Sequence, residues 1–301
     1  MREAIASCVS QTYRPLELLV GDDSEDNAST KVIDAIKADG GVTLCYQRNR
    51  PPLGQAGNIN GLFERASGAR IVLLHDDDLL LPDAITRLSD CWSNRPALTA
   101  AFGKQYIISA TGEVSQSDSE YLNNFFFRTA DKAGPQDSAL ESALLQQFPN
   151  DGFMIRSDIA KRVRLRDRAE VGDAVDFDFG IRVALEGEGF YFVDKYTCKY
   201  RYTPGSIHPT AATVEYMFPI IERLEVPKTA ERARTLALKR MAPFYVKYLA
   251  LRRKRSEALR VLFSEHFDRH LRHSAKGLIL LGQIVFPGLD PILQKIRPRA
   301  R

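Results

Sequence analysis

Over its first third the chain alternates short apolar runs with stretches of helical periodicity. Leu16 to Val20, Val42 to Gln47 and Ile71 to Leu74 have strand length. Glu3 to Gln11, Thr30 to Lys37 and Gln55 to Arg65 carry apolar residues at helical spacing between them. Pro82 then opens a further helix with Asp83 in its first turn, where negative charge suits the helix dipole. Such alternation excludes a helical bundle and an all-β sandwich. It predicts a mostly parallel sheet with helices on both faces. In open sheets of this kind ligands bind outside the carboxyl ends of the strands. There the third run passes straight into His75-Asp76-Asp77-Asp78.

The middle of the chain is less regular. Thr99 to Ser109 reads as strand and Thr111-Gly112 as a turn. Residues 113–136, with the aromatic patch Phe125-Phe126-Phe127, read as a long loop over a site. Ser138 to Gln147 is helical, Pro149-Asn150-Asp151-Gly152 is a turn, and Asp176 to Glu186 is a helix closed by glycines. Tyr191 to Val193 and Thr197 to Tyr202 read as two strands. From about Ala211 the pattern is helical and increasingly basic. Residues 1–227 carry 24 Lys/Arg against 33 Asp/Glu, whereas residues 228–301 carry 18 against 5. An acidic body of net charge −9 is joined to a basic tail of net charge +13.

Three groups of carboxylates are candidates for chemistry. Adjacent acids at Asp76, Asp77 and Asp78 repel one another unless a cation intervenes, and Mg²⁺ and Mn²⁺ prefer oxygen ligands. The competing reading is a solvated acidic loop or a helix cap. Asp22-Asp23-Ser24 repeats the pattern one strand earlier, where a carboxylate accepts hydrogen bonds from a base or ribose, and where Asx-turn chemistry serves as well. A calcium loop starting at Asp22 fails, because Asn27 and Ile33 stand where Gly and Glu are required. Asp173, Asp176 and Asp178 surround a helix start. Carboxylates there are ordinarily caps, and a half-buried one can also act as a general base. Trp92 reads as packed against the helix that starts near Asp83. The cysteines, Cys8, Cys45, Cys91 and Cys198, have neither zinc nor disulfide-framework spacing, which fits a reducing compartment.

Four stretches in order, REAIASCVSQTYRPLELLVGDDSED, LGQAGNINGLFERASGARIVLLHDDDLLLPDAI, VDFDFGIRVALEG and YRYTPGSIH, resemble the inverting family 2 glycosyltransferases over about residues 2–205. The resemblance implies a GT-A-type nucleotide-sugar-binding α/β fold over residues 1–210 and a basic helical appendage over residues 211–301. It implies a sugar transfer from a nucleotide-diphosphate sugar to a hydroxyl of a glycan or lipid-linked acceptor. Asp22, Asp23, Asn58, Asp76 and Asp77 would then face the donor. Asp76, Asp78 and His208 would hold Mg²⁺ or Mn²⁺, Asp176 would be the base, and Asn150, Asp151 and Gly152 would shape the acceptor side.

The chain departs from the family pattern at several positions. Gly57 stands where many members have Arg, Val175 where a second acid precedes the base, and His75 in place of the first Asp. The family's usual first strand, ahead of the helix at Glu3, is expected to be lacking. That makes a catalytically impaired binding or scaffold protein an alternative. A nucleotidyltransferase is a further one, though no Gly-rich loop bearing Lys or Arg is visible near the start.

No apolar run approaches the roughly 18 residues of a spanning helix, and the start does not read as a signal peptide. The sequence reading is therefore cytoplasmic, at the inner face of the cell membrane. The tail has Leu, Ile, Val and Phe on one face and Lys/Arg on the other, as a helical appendage packing on protein or as helices in peripheral contact with an anionic membrane. No helix-turn-helix, RNP or zinc pattern accompanies the charge, so no nucleic-acid partner is expected.

Overall fold

A computed structural model of the chain describes residues 1–36, 41–202 and 211–286. These form two compact units, one of the described residues of 1–171 and 175–202, the other of residues 172–174 and the described residues from 211 onward.

The first unit begins α1 (Arg2–Val9), β1 (Leu16–Asp22), α2 (Ala28–Asp34), β2 (Val42–Arg48), α3 (Gly54–Arg65) and β3 (Arg70–Val72). The alternation is thus realised, with α2 starting two residues earlier than its apolar spacing predicts. It continues with β4 (Leu79–Leu80), α4 (Ala84–Asp90), β5 (Ala100–Ile108), β6 (Val114–Ser115), α5 (Gln116–Phe125), β7 (Gly134–Pro135) and α6 (Ala139–Leu144). Last come β8 (Met154–Arg156), α7 (Ser157–Val163), α8 (Arg168–Val171), α9 (Val175–Glu186) and β9 (Phe190–Arg201).

The α/β architecture holds, but the sheet is mixed rather than mostly parallel. A seven-stranded sheet runs β3-β8-β5-β9-β4, with β6 added to β5 and β7 to β9. Within it only β5 and β9 pair in parallel; β3–β8, β5–β8 and β4–β9 are antiparallel. β1 and β2 form a separate parallel pair. Alternation tells that helices separate the strands, but not which neighbour each strand takes.

Two further expectations are corrected. Residues 113–136 are not one loop: α5 occupies their middle, capped by Ser115, whose hydroxyl accepts from the Asp118 amide. The two late strands are one, β9, whose register against β5 shifts around Lys104. This irregularity interrupts the period that a sequence reading relies on.

The core beneath the sheet is aromatic. Phe148 lies 4.6 Å from Phe153, 4.7 Å from Phe190 and 5.6 Å from Phe102, ring centre to ring centre. Pairs in this range contribute about 0.5–1.5 kcal/mol each beyond their burial. Such packing ties the starts of β5 and β9 to the turn before β8 that carries Asp151. Trp92 packs with Ala84, Ile85 and Leu88 of α4, and its indole N–H donates to the Leu98 carbonyl at 2.8 Å.

The second unit contains α10 (Ala211–Arg223), α11 (Glu231–Leu251), α12 (Arg255–Leu262), α13 (Arg269–His273) and α14 (Ala275–Val285). The core of α11 is Ala237, Leu238, Ala242, Val246 and Leu249, all buried. Phe218 of α10 stacks on Tyr245 with ring centres 4.5 Å apart. Asp268 caps α13, accepting from the Leu271 amide at 2.8 Å, and Ser274 caps α14.

Candidate active site

The first carboxylate group lies where β1 ends. Asp22 is buried, and hydrogen-bond donors engage both of its oxygens. Oδ1 accepts from the Ser24 amide at 2.9 Å and its hydroxyl at 2.6 Å; Oδ2 accepts from Tyr46 of β2 at 2.7 Å. Burial pushes this carboxyl up, but the Ser24 and Tyr46 hydrogen bonds outweigh it and hold Asp22 below the usual carboxylate range. Asp23 is half-buried and accepts from Asn49 Nδ2 at 2.8 Å and the Leu53 amide at 3.2 Å. Asn49 also donates to Asn58 Oδ1 at 3.1 Å, and Asn58 of α3 donates to the Gly21 carbonyl at 3.0 Å. Gly21 must lack a side chain, because a Cβ there would stand 2.0 Å from Asn58 Oδ1. Asp23 and Asn58 are therefore brought together by one network, while Asp22 is spent on holding the loop.

The second group lies where β3 ends, and it is built differently. Asp76 is exposed, with its Oδ2 4.0 Å from the Met1 amine, and Asp77 is exposed beside it. Asp78 turns inward and is 1% exposed. Its Oδ1 accepts from the Arg201 amide at 2.6 Å, where β9 ends. Arg201 also donates to the Asp77 carbonyl at 2.8 Å and to Glu3 of α1 at 2.7 Å, which fixes the turn. The other oxygen, Asp78 Oδ2, is buried without a hydrogen-bond donor, and so is Nε2 of His75.

Facing them is Asp151, fully buried in the turn before β8. It accepts from Gln105 Nε2 of β5 at 3.1 Å and from the His75 amide at 3.3 Å. Gln105 in turn accepts from Arg128 at 2.7 Å, a guanidinium that burial pushes down to about 10. The next residue, Gly152, has φ +69°, and a Cβ on it would meet Cys198 at 2.8 Å. A side chain at residue 152 would therefore displace the turn that presents Asp151. Asn150 is half-buried. Of the three residues expected on the acceptor side, Asp151 and Gly152 lie beneath the aspartate turn.

His75, Asp78 and Asp151 each offer one ligand atom, and these atoms lie within 4.8 Å of one another. Burial raises the carboxyl of Asp78, and the neighbouring Asp151 raises it further; burial raises Asp151 as well. Two buried carboxylates this close, with one oxygen of Asp78 lacking a donor, favour a proton or a cation between them. Oxygen and imidazole donors, two of them orphaned, fit a divalent ion. Of the expected metal ligands, Asp78 is in this group, Asp76 points outward, and His208 lies outside the described residues.

Asp176 sits in the first turn of α9, half-buried, and accepts from Gln55 of α3 at 3.3 Å. Desolvation raises its carboxyl, with the charges of His75 and the Gln55 hydrogen bond opposing. Its charge is also felt at Asp151. Asp178 is a structural partner instead, paired with Arg182 at 2.7 Å. Tyr200 is near enough to Asp78, Asp151, Asp77 and Asp176 for all four to push its hydroxyl up, after burial. The site thus gathers His75, Asp78 and Asp151, with Asp176 and Tyr200 within their electrostatic reach. Sequence reasoning missed Gln55, Gln105, Arg128, Tyr200 and Arg201. Tyr200 and Arg201 lie at the carboxyl end of β9, a strand end being where ligands bind in such sheets; Gln105 and Arg128 left no signal.

Carboxylates gathered at strand ends of an α/β sheet, with one oxygen of Asp78 lacking a donor, are compatible with a bound cation. Residues 1–145 match the model of glycosyl transferase family 2. That match covers just under half of the chain, and the chain has a GT-A-type fold. Over 88 residues it is 30% identical to the GalNAc(5)-diNAcBac-PP-undecaprenol beta-1,3-glucosyltransferase of Campylobacter jejuni; the match covers 29% of this chain and 28% of that protein. TarS of S. aureus, residues 1–349 in complex with UDP-GlcNAc, superposes with TM-score 0.62 at 15% identity, over 94% of this chain and 83% of that one. The mannosyltransferase PcManGT of Pyrobaculum calidifontis, in complex with GDP-Man and Mn²⁺, superposes with TM-score 0.58 at 14% identity, over 97% and 77%. At these identities the two structures speak for the fold alone.

Proposed function

We propose that this chain moves a sugar from a nucleotide-diphosphate sugar to a hydroxyl acceptor, with inversion at the anomeric carbon. One observation carries the reading: Asp78, Asp151 and His75 converge, with Asp78 Oδ2 orphaned and Asp176 within electrostatic reach of Asp151. His75, Asp78 and Asp151 would hold the divalent ion, in place of the set Asp76, Asp78 and His208 expected from sequence. The imidazole favours Mn²⁺ over Mg²⁺. When bound, such an ion supplies charge neutralisation for a leaving diphosphate.

The remaining roles belong to the chain's own residues. Asp23 and Asn58 frame the base and ribose side, with Asp76 and Asp77, both solvent-facing, toward the donor's polar groups. Asp176 takes the acceptor proton. Its raised carboxyl makes it a stronger base than a free aspartate. The acceptor is a glycan or a lipid-linked glycan, which agrees with the name of the Campylobacter jejuni relative. The chain would then work at the inner face of a membrane. No helix among the described residues is long and apolar enough to cross one.

A donor screen by thermal shift tests the reading. UDP-, GDP- and dTDP-sugars are compared with and without Mn²⁺. One nucleotide is expected to raise Tm, and to raise it further with Mn²⁺. No Mn²⁺-dependent rise with any donor would overturn the reading.

A further inference from the structure

The second unit has a face that the sugar-transfer site does not explain. Apart from Lys276 and Gln283, α14 consists of apolar and small residues. Gly277 and Ile284 are buried inward, where α11, α12 and α13 pack against the helix. On the outer side Leu278 is 60% exposed, Val285 42% and Phe286 59%. The spacings of seven and eight residues put these three on one stripe. An 11-residue helix normally turns its polar side to water; this one has Lys276 as its one charged residue.

The surroundings are cationic. Arg269 and Lys276 are exposed, and no Asp or Glu occurs from Arg269 through Leu289. Arg272 covers the ring of Phe263 at 5.5 Å, and Phe263 is itself 58% exposed. Elsewhere in the unit, Arg252-Arg253-Lys254 after α11 and Arg255 at the start of α12 are exposed throughout. Residues 228–286 carry 14 Lys/Arg and 4 Asp/Glu.

We propose that the outer stripe of α14, with its flanking cations, docks on the surface of an anionic phospholipid bilayer. The proposal deepens the membrane placement given above and rests on that reading for its purpose. An apolar stripe with basic flanks and no acid is the pattern of a helix lying in the interface, its apolar side among acyl chains and its cations among headgroups. The helix is too short to span, so it lies on the membrane. A second copy of this chain is a poor occupant, because matching stripes would bring two strongly positive surfaces together.

The test is co-sedimentation of the full chain with vesicles of phosphatidylcholine alone and of phosphatidylcholine with phosphatidylglycerol. Binding to the anionic vesicles only, weakened by salt, is expected. Leu278→Gln with Phe286→Gln should lower it at least tenfold. Arg253→Gln with Lys254→Gln should lower it about fivefold per cation, since each contributes ~1 kcal/mol. Circular dichroism verifies that the variants fold; all four side chains are exposed. Equal partition to both vesicles, no binding, or variants that bind like the parent would overturn the proposal. So would a dimer in light scattering that Leu278→Gln dissolves. A donor thermal shift on the same preparations reports separately on the sugar-transfer site, so the two readings fail independently.

Discussion

The turns after β1 and β3 look alike in sequence, Asp22-Asp23 against Asp76-Asp77-Asp78, and each follows the carboxyl end of a strand, β1 in the parallel pair and β3 at the edge of the mixed sheet. Their electrostatics are opposite. At the first, Ser24, Tyr46, Asn49 and the Leu53 amide engage the carboxylates, and Asp22 is held below its ordinary range. At the second, Asp78 and Asp151 face each other with one oxygen lacking any donor, and both are raised. The lesson is that an acidic motif is informative only through its donors. Acids with donors are structural or bind polar ligands; acids deprived of them await a cation.

The largest effect is expected at Asp176, the base beside the donor-free turn. Asp176→Asn should lower turnover by about 10²–10⁴, with the donor-induced Tm shift retained. Steady-state kinetics alongside thermal shift checks this, and near-parental turnover would move the base elsewhere. Next is Gly152→Ala, which places a methyl against Cys198 at positive φ and should destabilise by about 1–3 kcal/mol. Urea unfolding measures it. If the substitution is neutral, the turn that presents Asp151 is not held as described.

Much of this contrast was invisible in the sequence. Strand-to-helix alternation located β1, β2 and β3 and the helices between them, because each is set by local apolar spacing. Asp22, Asp23, Asp76–Asp78 and Asp176 stood out as acids at element ends. Three things did not: that Asp78 turns inward while Asp76 points out, that Asp151 belongs with it, and that Gln105 and Arg128 support it from below. They depend on pairing of β5 with β8 and β9, across 46 residues in the case of Gln105 and Asp151. No local pattern encodes that distance. The mixed sheet was missed for the same reason.

Two smaller effects sharpen the comparison further. The pH dependence of stability should differ between the turns. Asp78 and Asp151 have folded values above the unfolded carboxylate value of about 3.9, so folding takes up protons there. Their contribution is full below that value and is lost as pH rises through about 6 and then 9. Without metal, Tm should therefore fall between pH 5 and pH 9, more steeply in the parent than in Asp78→Asn. Parallel profiles in differential scanning calorimetry would contradict this. At the first turn, Tyr46→Phe removes one donor to Asp22 and should cost about 0.5–1.5 kcal/mol, without altering Mn²⁺ binding.

Mn²⁺ titration followed by electron paramagnetic resonance tests the central claim most directly, on the parent, Asp22→Asn and Asp78→Asn without donor or acceptor. The account predicts that the parent and Asp22→Asn bind the ion alike, and that Asp78→Asn loses at least tenfold in affinity. Equal affinity in all three, or a loss confined to Asp22→Asn, would contradict it.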